Sequence, residues 1–184
     1  WVPDTYEAAN APFVAWLSVA PKAAGFIVIF RLYLEGVGDR AVLWVPIATG
    51  LAALTIVAGN LMAIPQQNVK RLLAYSGIAH IGYMLMGLAA ISSNGVAMVL
   101  FYLVAYGFAT IGAFALVTLV RDGTNEAVHL SRWAGIGRTS PLVAGVMSLF
   151  LLSFAGIPLT SGFIGKFLVF SAGIDGGATP LVIV

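Results

Sequence analysis

Cysteine is absent from the 184-residue sequence, which excludes iron–sulfur clusters and thiolate metal sites built from this chain's own residues. Charge is scarce too. Asp, Glu, Lys and Arg make up 9% of the chain, against about 25% in soluble domains. The two histidines, His80 and His129, show no HExxH spacing or clustering that suggests a metal. The stretch "GIGRTS" at 135–140 is loosely glycine-rich, but it follows no strand and lacks a phosphate-loop lysine, so it describes no nucleotide site. A net charge of +2 is too small to argue for nucleic acid.

Apolar residues, by contrast, make up 60% of the chain, with a mean hydropathy of +1.00. Such a chain is an all-α integral membrane protein, long enough for five or six spans of roughly 20 residues. It opens on Trp1 and closes in "PLVIV", a run too short to span. It therefore reads as an interior fragment of a longer polypeptide, with partners expected from the remaining parts.

Charge-free runs predict a polytopic helix bundle in a single membrane domain, with spans at about 11–34, 44–64, 70–92, 95–120 and 141–172. A sixth span is expected to begin near Pro180. Between Leu72 and Val120 there is no charged residue, so two helices and the tight turn "ISSNG" fit there. The helices are apolar all round, as lipid-facing and bundle-buried helices require. Lys70, Arg71, Arg121, Arg132 and Arg138 fall on one side of the membrane, Arg31 and Arg40 on the other. By the positive-inside rule the first side is cytoplasmic, together with loops at about 1–10, 65–69 and 121–140.

The span at 141–172 is longer than a straight crossing needs and carries "FAGIPLTSG" at its middle. Pro158 removes a backbone donor, while Gly156 and Gly162 let the chain unwind, which predicts a discontinuous helix. Unwound backbone at membrane depth must be buried in protein or line a wet cavity. Pro21 repeats the theme more weakly in the first span, where the general abundance of proline in membrane helices explains it equally well.

The three lysines are the most informative residues. Lys22 lies at the centre of the first span and Lys166 one to two turns beyond the break, while His80 sits at the centre of the third span. A lysine at the bilayer centre costs roughly 2.5–3.5 kcal/mol on insertion scales, so it should face the bundle interior or water. Lys22 stands about 16 Å from either end of its helix, too deep to snorkel. Low dielectric disfavours an ammonium, so a lysine held there parts more readily with its proton. These positions nominate Lys22, His80 and Lys166 as a proton relay. The alternatives are a structural ion pair for Lys22 and a buried neutral histidine for His80. Ser76 and Tyr83 share the His80 face and are candidates for holding water or its proton. Tyr106, with Tyr102 and Thr110 one turn to either side, makes a second polar stripe suited to helix–helix hydrogen bonding.

Lys70 opens the third span beside Arg71 and reads as an interfacial anchor first and a proton entry second; Arg31 and Arg40 read likewise as helix-end anchors, and the 121–140 arginines as solvated charge. Every acidic residue falls in a loop or at a helix end. Either Lys22 is neutral much of the time, or its carboxylate partner lies on a helix outside this sequence.

The segments "WVPDTYEAANAP", "APKAAGF", "NVKRLLAYSGIAHIGYML" and "AGIPLTSGFIGKF" together resemble the antiporter-like membrane subunits of proton-pumping NADH:quinone oxidoreductase, respiratory complex I. The resemblance runs over the whole chain and is best to the N-type branch. The M-type carries glutamate at the position of Lys166 and histidine at that of Tyr106, and the L-type usually lacks the histidine matching His80. The resemblance implies fourteen helices built from two inverted five-helix repeats, of which this chain covers the eighth to twelfth helices and the start of the thirteenth. It matches Lys22 to a central lysine, His80 to a polar-axis position and Lys166 to the lysine after a break. It places a glutamate and a further lysine before Trp1.

The implied function is proton translocation by a non-redox subunit in a bacterial plasma membrane. NADH, FMN, iron–sulfur clusters and quinone would then belong to partner subunits, with paralogous antiporter-like subunits as neighbours. The rivals are a subunit of a multisubunit cation/proton antiporter or membrane-bound hydrogenase, and a passive structural bundle.

Overall fold

The computed structural model describes residues 1–90, 95–177 and 179–183. A short helix, Val2–Ala8 (α1), precedes a first long apolar stretch made of Ala11–Leu17 (α2) and Ala20–Phe30 (α3), finished by a π-helical turn over Arg31–Gly36. The interruption falls at Ser18 and Val19, just before Pro21. As the second residue of α3, Pro21 needs no amide donor, whereas a continuous helix would set its ring against the preceding turn. Ala41–Ala63 (α4), Val69–Ala89 (α5) and Gly95–Leu119 (α6) follow as uninterrupted helices. The turn expected at 91–95 lies, apart from Gly95, outside the described residues.

After α6 the strands Arg121–Asp122 (β1) and Asn125–Glu126 (β2) form a two-residue hairpin turning on Gly123, whose φ of 65° suits glycine. A short helix, Ile136–Thr139 (α7), leads to Pro141–Ala155 (α8) and Ser161–Asp175 (α9), with Thr179–Ile183 (α10) after them. At 15 residues each, α8 and α9 reach roughly 22 Å. Neither crosses a core of about 30 Å alone. They are two half-helices, and the expected discontinuous span is present.

The bundle is organised around α5, which packs against α1, α4, α6 and α9. Its sequence allows this because small residues let neighbouring backbones approach closely. A Cβ on Gly59 of α4 would stand 2.6 Å from the Ala79 amide nitrogen, and one on Gly82 of α5 would stand 2.9 Å from the Ala52 carbonyl oxygen. Large apolar side chains such as Leu43, Ile47, Leu54, Phe108 and Leu142 point outward. Polar residues including His80, Thr110 and Ser153 are buried instead. A soluble protein reverses this arrangement, whereas a bilayer demands it. Four stretches, Ala11–Gly36, Gly38–Ala63, Val69–Ala89 and Gly95–Leu119, are each long and apolar enough to cross a membrane. The chain is a polytopic membrane protein.

One end of the bundle is fixed by charge. Asn68 caps α5 by accepting from the Lys70 amide at 2.9 Å and donates to Glu7 of α1 at 3.1 Å. Arg71 donates to Asp4 at 2.7 Å and Glu7 at 2.8 Å. Lys70 departs from its expected role as an interfacial anchor. It is 4% exposed, donating to Glu126 at 3.0 Å and to the Ala9 carbonyl at 2.8 Å. Glu126 also accepts from the Ala11 amide at 2.9 Å. The hairpin therefore folds back to neutralise Lys70, and this carboxylate, distant in sequence, ties α2, α5 and β2 together. Arg132 does lie at the surface, paired with Asp122 at 3.0 Å.

Candidate functional site

The half-buried Lys22, near the start of α3, reaches across the bundle and donates to the Tyr106 hydroxyl on α6 at 3.2 Å. Its ammonium also stands 5.0 Å from the centroid of the same ring, a separation at which the ring quadrupole attracts a cation. None of the ion pairs among the described residues includes Lys22. Lys22 also lines a recess of about 220 Å³ with Trp1, Val2, Tyr6, Leu17, Pro21, Ile78 and Ile81. Among the described residues Lys22 is its one charged side chain. Burial, with a smaller contribution from Tyr106, holds the Tyr6 phenol of α1 well above the usual tyrosine range, so it remains neutral.

His80 is 3% exposed at the middle of α5. Its Nδ1 meets the Tyr102 hydroxyl of α6 in a short hydrogen bond. The imidazole lies 4.7 Å from the Tyr106 ring centroid and 5.8 Å from that of Tyr83, the latter edge-on. Phe154 of α8 closes another side at 5.7 Å. The partners differ from those suggested by the helix face of α5 alone. The Tyr83 hydroxyl accepts from Asn60 Nδ2 of α4 at 3.2 Å, and Tyr102 takes the imidazole. Ser76 is half-buried one turn earlier. Thr110 also departs from the helix–helix role expected for its stripe, since it donates to the Tyr106 carbonyl of its own helix at 2.7 Å.

Gly156 terminates α8 in the left-handed conformation, φ 79°. The amides of Gly156 and Ile157 return to the Ser153 and Leu152 carbonyls, each at 3.0 Å, closing the helix end as a Schellman motif. Pro158 lies in the unwound stretch, and Leu159 carries a φ of 78° while fully exposed. Thr160 caps α9, and the Gly162 amide donates to the Ser153 hydroxyl at 3.1 Å. Gly162 is required here because a Cβ would collide with the Ser153 carbonyl.

Lys166, one turn into α9, folds back over this break. It donates to the Phe154 carbonyl at 2.7 Å and the Ala155 carbonyl at 3.3 Å, groups left without helical partners where α8 ends. Its Nζ also stands 4.8 Å from the Tyr83 ring centroid.

Lys22, His80 and Lys166 thus converge on one aromatic cluster. Tyr106 lies between Lys22 and His80, and Tyr83 between His80 and Lys166. Sequence reasoning passes over Asn60, Ser153 and the pairing of Tyr102 with His80. Asn60 carries a usable signal as an amide within an apolar 23-residue helix. The serine and tyrosine pairings depend on inter-helix contacts that no spacing encodes. Among the described residues no group of three or more His, Cys, Asp or Glu is placed to hold a metal.

A central helix carrying a buried imidazole, beside a broken helix capped by a lysine, defines an antiporter-like polytopic membrane bundle. The chain belongs to the family described as "NADH:quinone oxidoreductase/Mrp antiporter, TM", which matches residues 1–184. It is 53% identical over 184 residues to the NADH-quinone oxidoreductase subunit N of Rhodococcus opacus (strain B4), covering 100% of this chain and 34% of that protein. A chain of respiratory complex I from Thermus thermophilus with bound aureothin is similar at 34% identity and a TM-score of 0.83, covering 100% of this chain and 39% of that one. A chain of the Mrp complex from Dietzia sp. DQ12-45-1b shares the fold at 24% identity and a TM-score of 0.87, covering 100% of this chain and 34% of that one. The chain spans about a third of the length of the subunit N relative.

Proposed function

We propose that this chain carries part of the proton path of a non-redox, N-type membrane subunit of an NADH:quinone oxidoreductase. The observation that carries the reading is the convergence of Lys22, His80 and Lys166 on tyrosines inside a bundle whose outer face is apolar. Intramembrane ionisable groups are costly and mark ion pathways. Charge on one member of such a cluster is felt strongly by the others, because Coulomb interactions are weakly screened in a low-dielectric interior. Lys22 serves as the central relay, His80 as the connector and Lys166 as the terminal group at the break. NADH, FMN, iron–sulfur clusters and quinone act in partner subunits of a bacterial plasma membrane, with paralogous antiporter-like subunits as neighbours. The excess of Lys and Arg supports a cytoplasmic position for the α1 end and the 121–140 segment. The N-type resemblance and the identity to a subunit N support a redox-driven complex over a stand-alone antiporter.

The test replaces Lys22 by methionine in the full-length subunit within the whole complex. Proton pumping, NADH oxidation and assembly are then measured in membrane vesicles. Loss of pumping in an assembled complex is expected; normal pumping by the assembled variant would defeat the proposal.

A further inference from the structure

Gly77 lies on α5 one turn before His80, on the face that meets the ends of the Lys22 side chain from α3 and the Tyr106 side chain from α6. An added Cβ there would stand 2.7 Å from Lys22 Nζ and 2.8 Å from the Tyr106 hydroxyl, both inside the limit that real Cβ atoms observe. The three groups occupy one small volume. Glycine, the residue with no side chain, leaves it to the lysine–tyrosine contact.

The collision differs in kind from those at Gly59 and Gly162. At Gly59 and Gly162 a Cβ would strike backbone, so the helices themselves would have to separate. At Gly77 it would strike the ends of two long side chains, one of them a flexible lysine. The helices can stay where they are while the ammonium or the phenol swings aside. Alanine also favours helix over glycine, which offsets part of any strain. A methyl group at this position therefore displaces the functional contact selectively and spares the fold.

We propose that Gly77 is a positioning residue for proton exchange at Lys22, keeping open the space in which the Lys22 ammonium meets the Tyr106 hydroxyl. The role follows from the geometry of proton transfer, which needs donor and acceptor within hydrogen-bond reach. It extends to His80, because the Tyr106 ring that would be pushed lies 4.7 Å from the imidazole. This inference rests on the proton-path reading of Lys22.

The experiment uses the complete complex in membrane vesicles and reads protons pumped per NADH oxidised. The variants are Gly77→Ala, Tyr106→Phe, the two combined, Lys22→Met and the control Gly50→Ala, a helical position with nothing within 4 Å of an added Cβ. Gly77→Ala is expected to lower the ratio at least about tenfold in an assembled complex, since a misplacement of about 1 Å can cost about 100-fold, while Gly50→Ala matches the wild type. Because Gly77→Ala and Tyr106→Phe disable the same contact, the combined variant should fall no further than the more impaired of the two.

An assembled Gly77→Ala complex with a wild-type ratio would overturn the inference, and so would independent, multiplying losses. Lys22→Met separates the two levels. If it pumps normally, the proton-path reading itself fails; if it does not pump but Gly77→Ala does, only the role of Gly77 fails. Should Gly77→Ala not assemble, it is combined with Lys22→Ala. Restored assembly would show that the clash is with the lysine, as proposed, and continued failure would refute it.

Discussion

Lys22 on α3 and Tyr106 on α6 meet across the bundle at 3.2 Å, although 84 positions separate them in sequence. The contact gives this lysine a hydroxyl partner instead of a carboxylate counter-ion. If the hydroxyl takes part, Tyr106→Phe, which keeps the ring but loses the oxygen, should lower protons pumped per NADH by about tenfold or more, the scale on which a positioned acid–base group contributes. Quantifying the complex in the same vesicles separates this from poor assembly.

Tyr102 and His80 make a second prediction. Tyr102→Phe leaves the buried Nδ1 of His80 without its partner, and an orphaned buried polar group costs about 1–3 kcal/mol. A lower melting temperature of the detergent-solubilised complex is expected. Replacing both residues with apolar ones of similar volume should recover part of that stability but not pumping.

The buried Lys70–Glu126 pair makes a third. Truncating Glu126 to alanine strands an ammonium that is 4% exposed, and breaking a buried pair costs about 3–5 kcal/mol. Protease sensitivity of the 121–140 segment should rise and assembly should fall. Combining Glu126→Ala with Lys70→Met should cost less than Glu126→Ala alone. An equal or larger loss would show that the pair does not hold the hairpin.

At the break, Gly162→Ala should be far more damaging than Ser153→Ala. The first forces a methyl group against the Ser153 carbonyl and overpacks the junction at about 3 kcal/mol. The second removes one hydrogen bond to the Gly162 amide, worth about 1 kcal/mol. Complex abundance on native gels ranks the two directly.

Much of the fold is legible in the sequence because a bilayer imposes a length and a polarity that a linear reading detects. The broken helix is legible for the same kind of reason. Gly156, Pro158 and Gly162 each have a local backbone consequence, and the structure uses Gly156 in a left-handed turn and Gly162 in a close approach. Lys22, His80 and Lys166 stand out as isolated bases in apolar runs. Their partners do not stand out, since which tyrosine meets which base depends on how α3, α5, α6 and α9 are rotated against one another. Lys70 misleads for a related reason. A lysine at the start of a span looks like an anchor, and the carboxylate that buries it comes from a hairpin 56 residues later.

The close seam between α4 and α5 bears on which parts of this cluster can move. With Gly59 against the Ala79 backbone and Gly82 against Ala52 and Ile56, α5 has no slack to roll or slide without parting two backbones. The backbone that carries His80 is therefore held in place, whereas Lys22 and Lys166 reach the cluster on long side chains with several rotatable bonds.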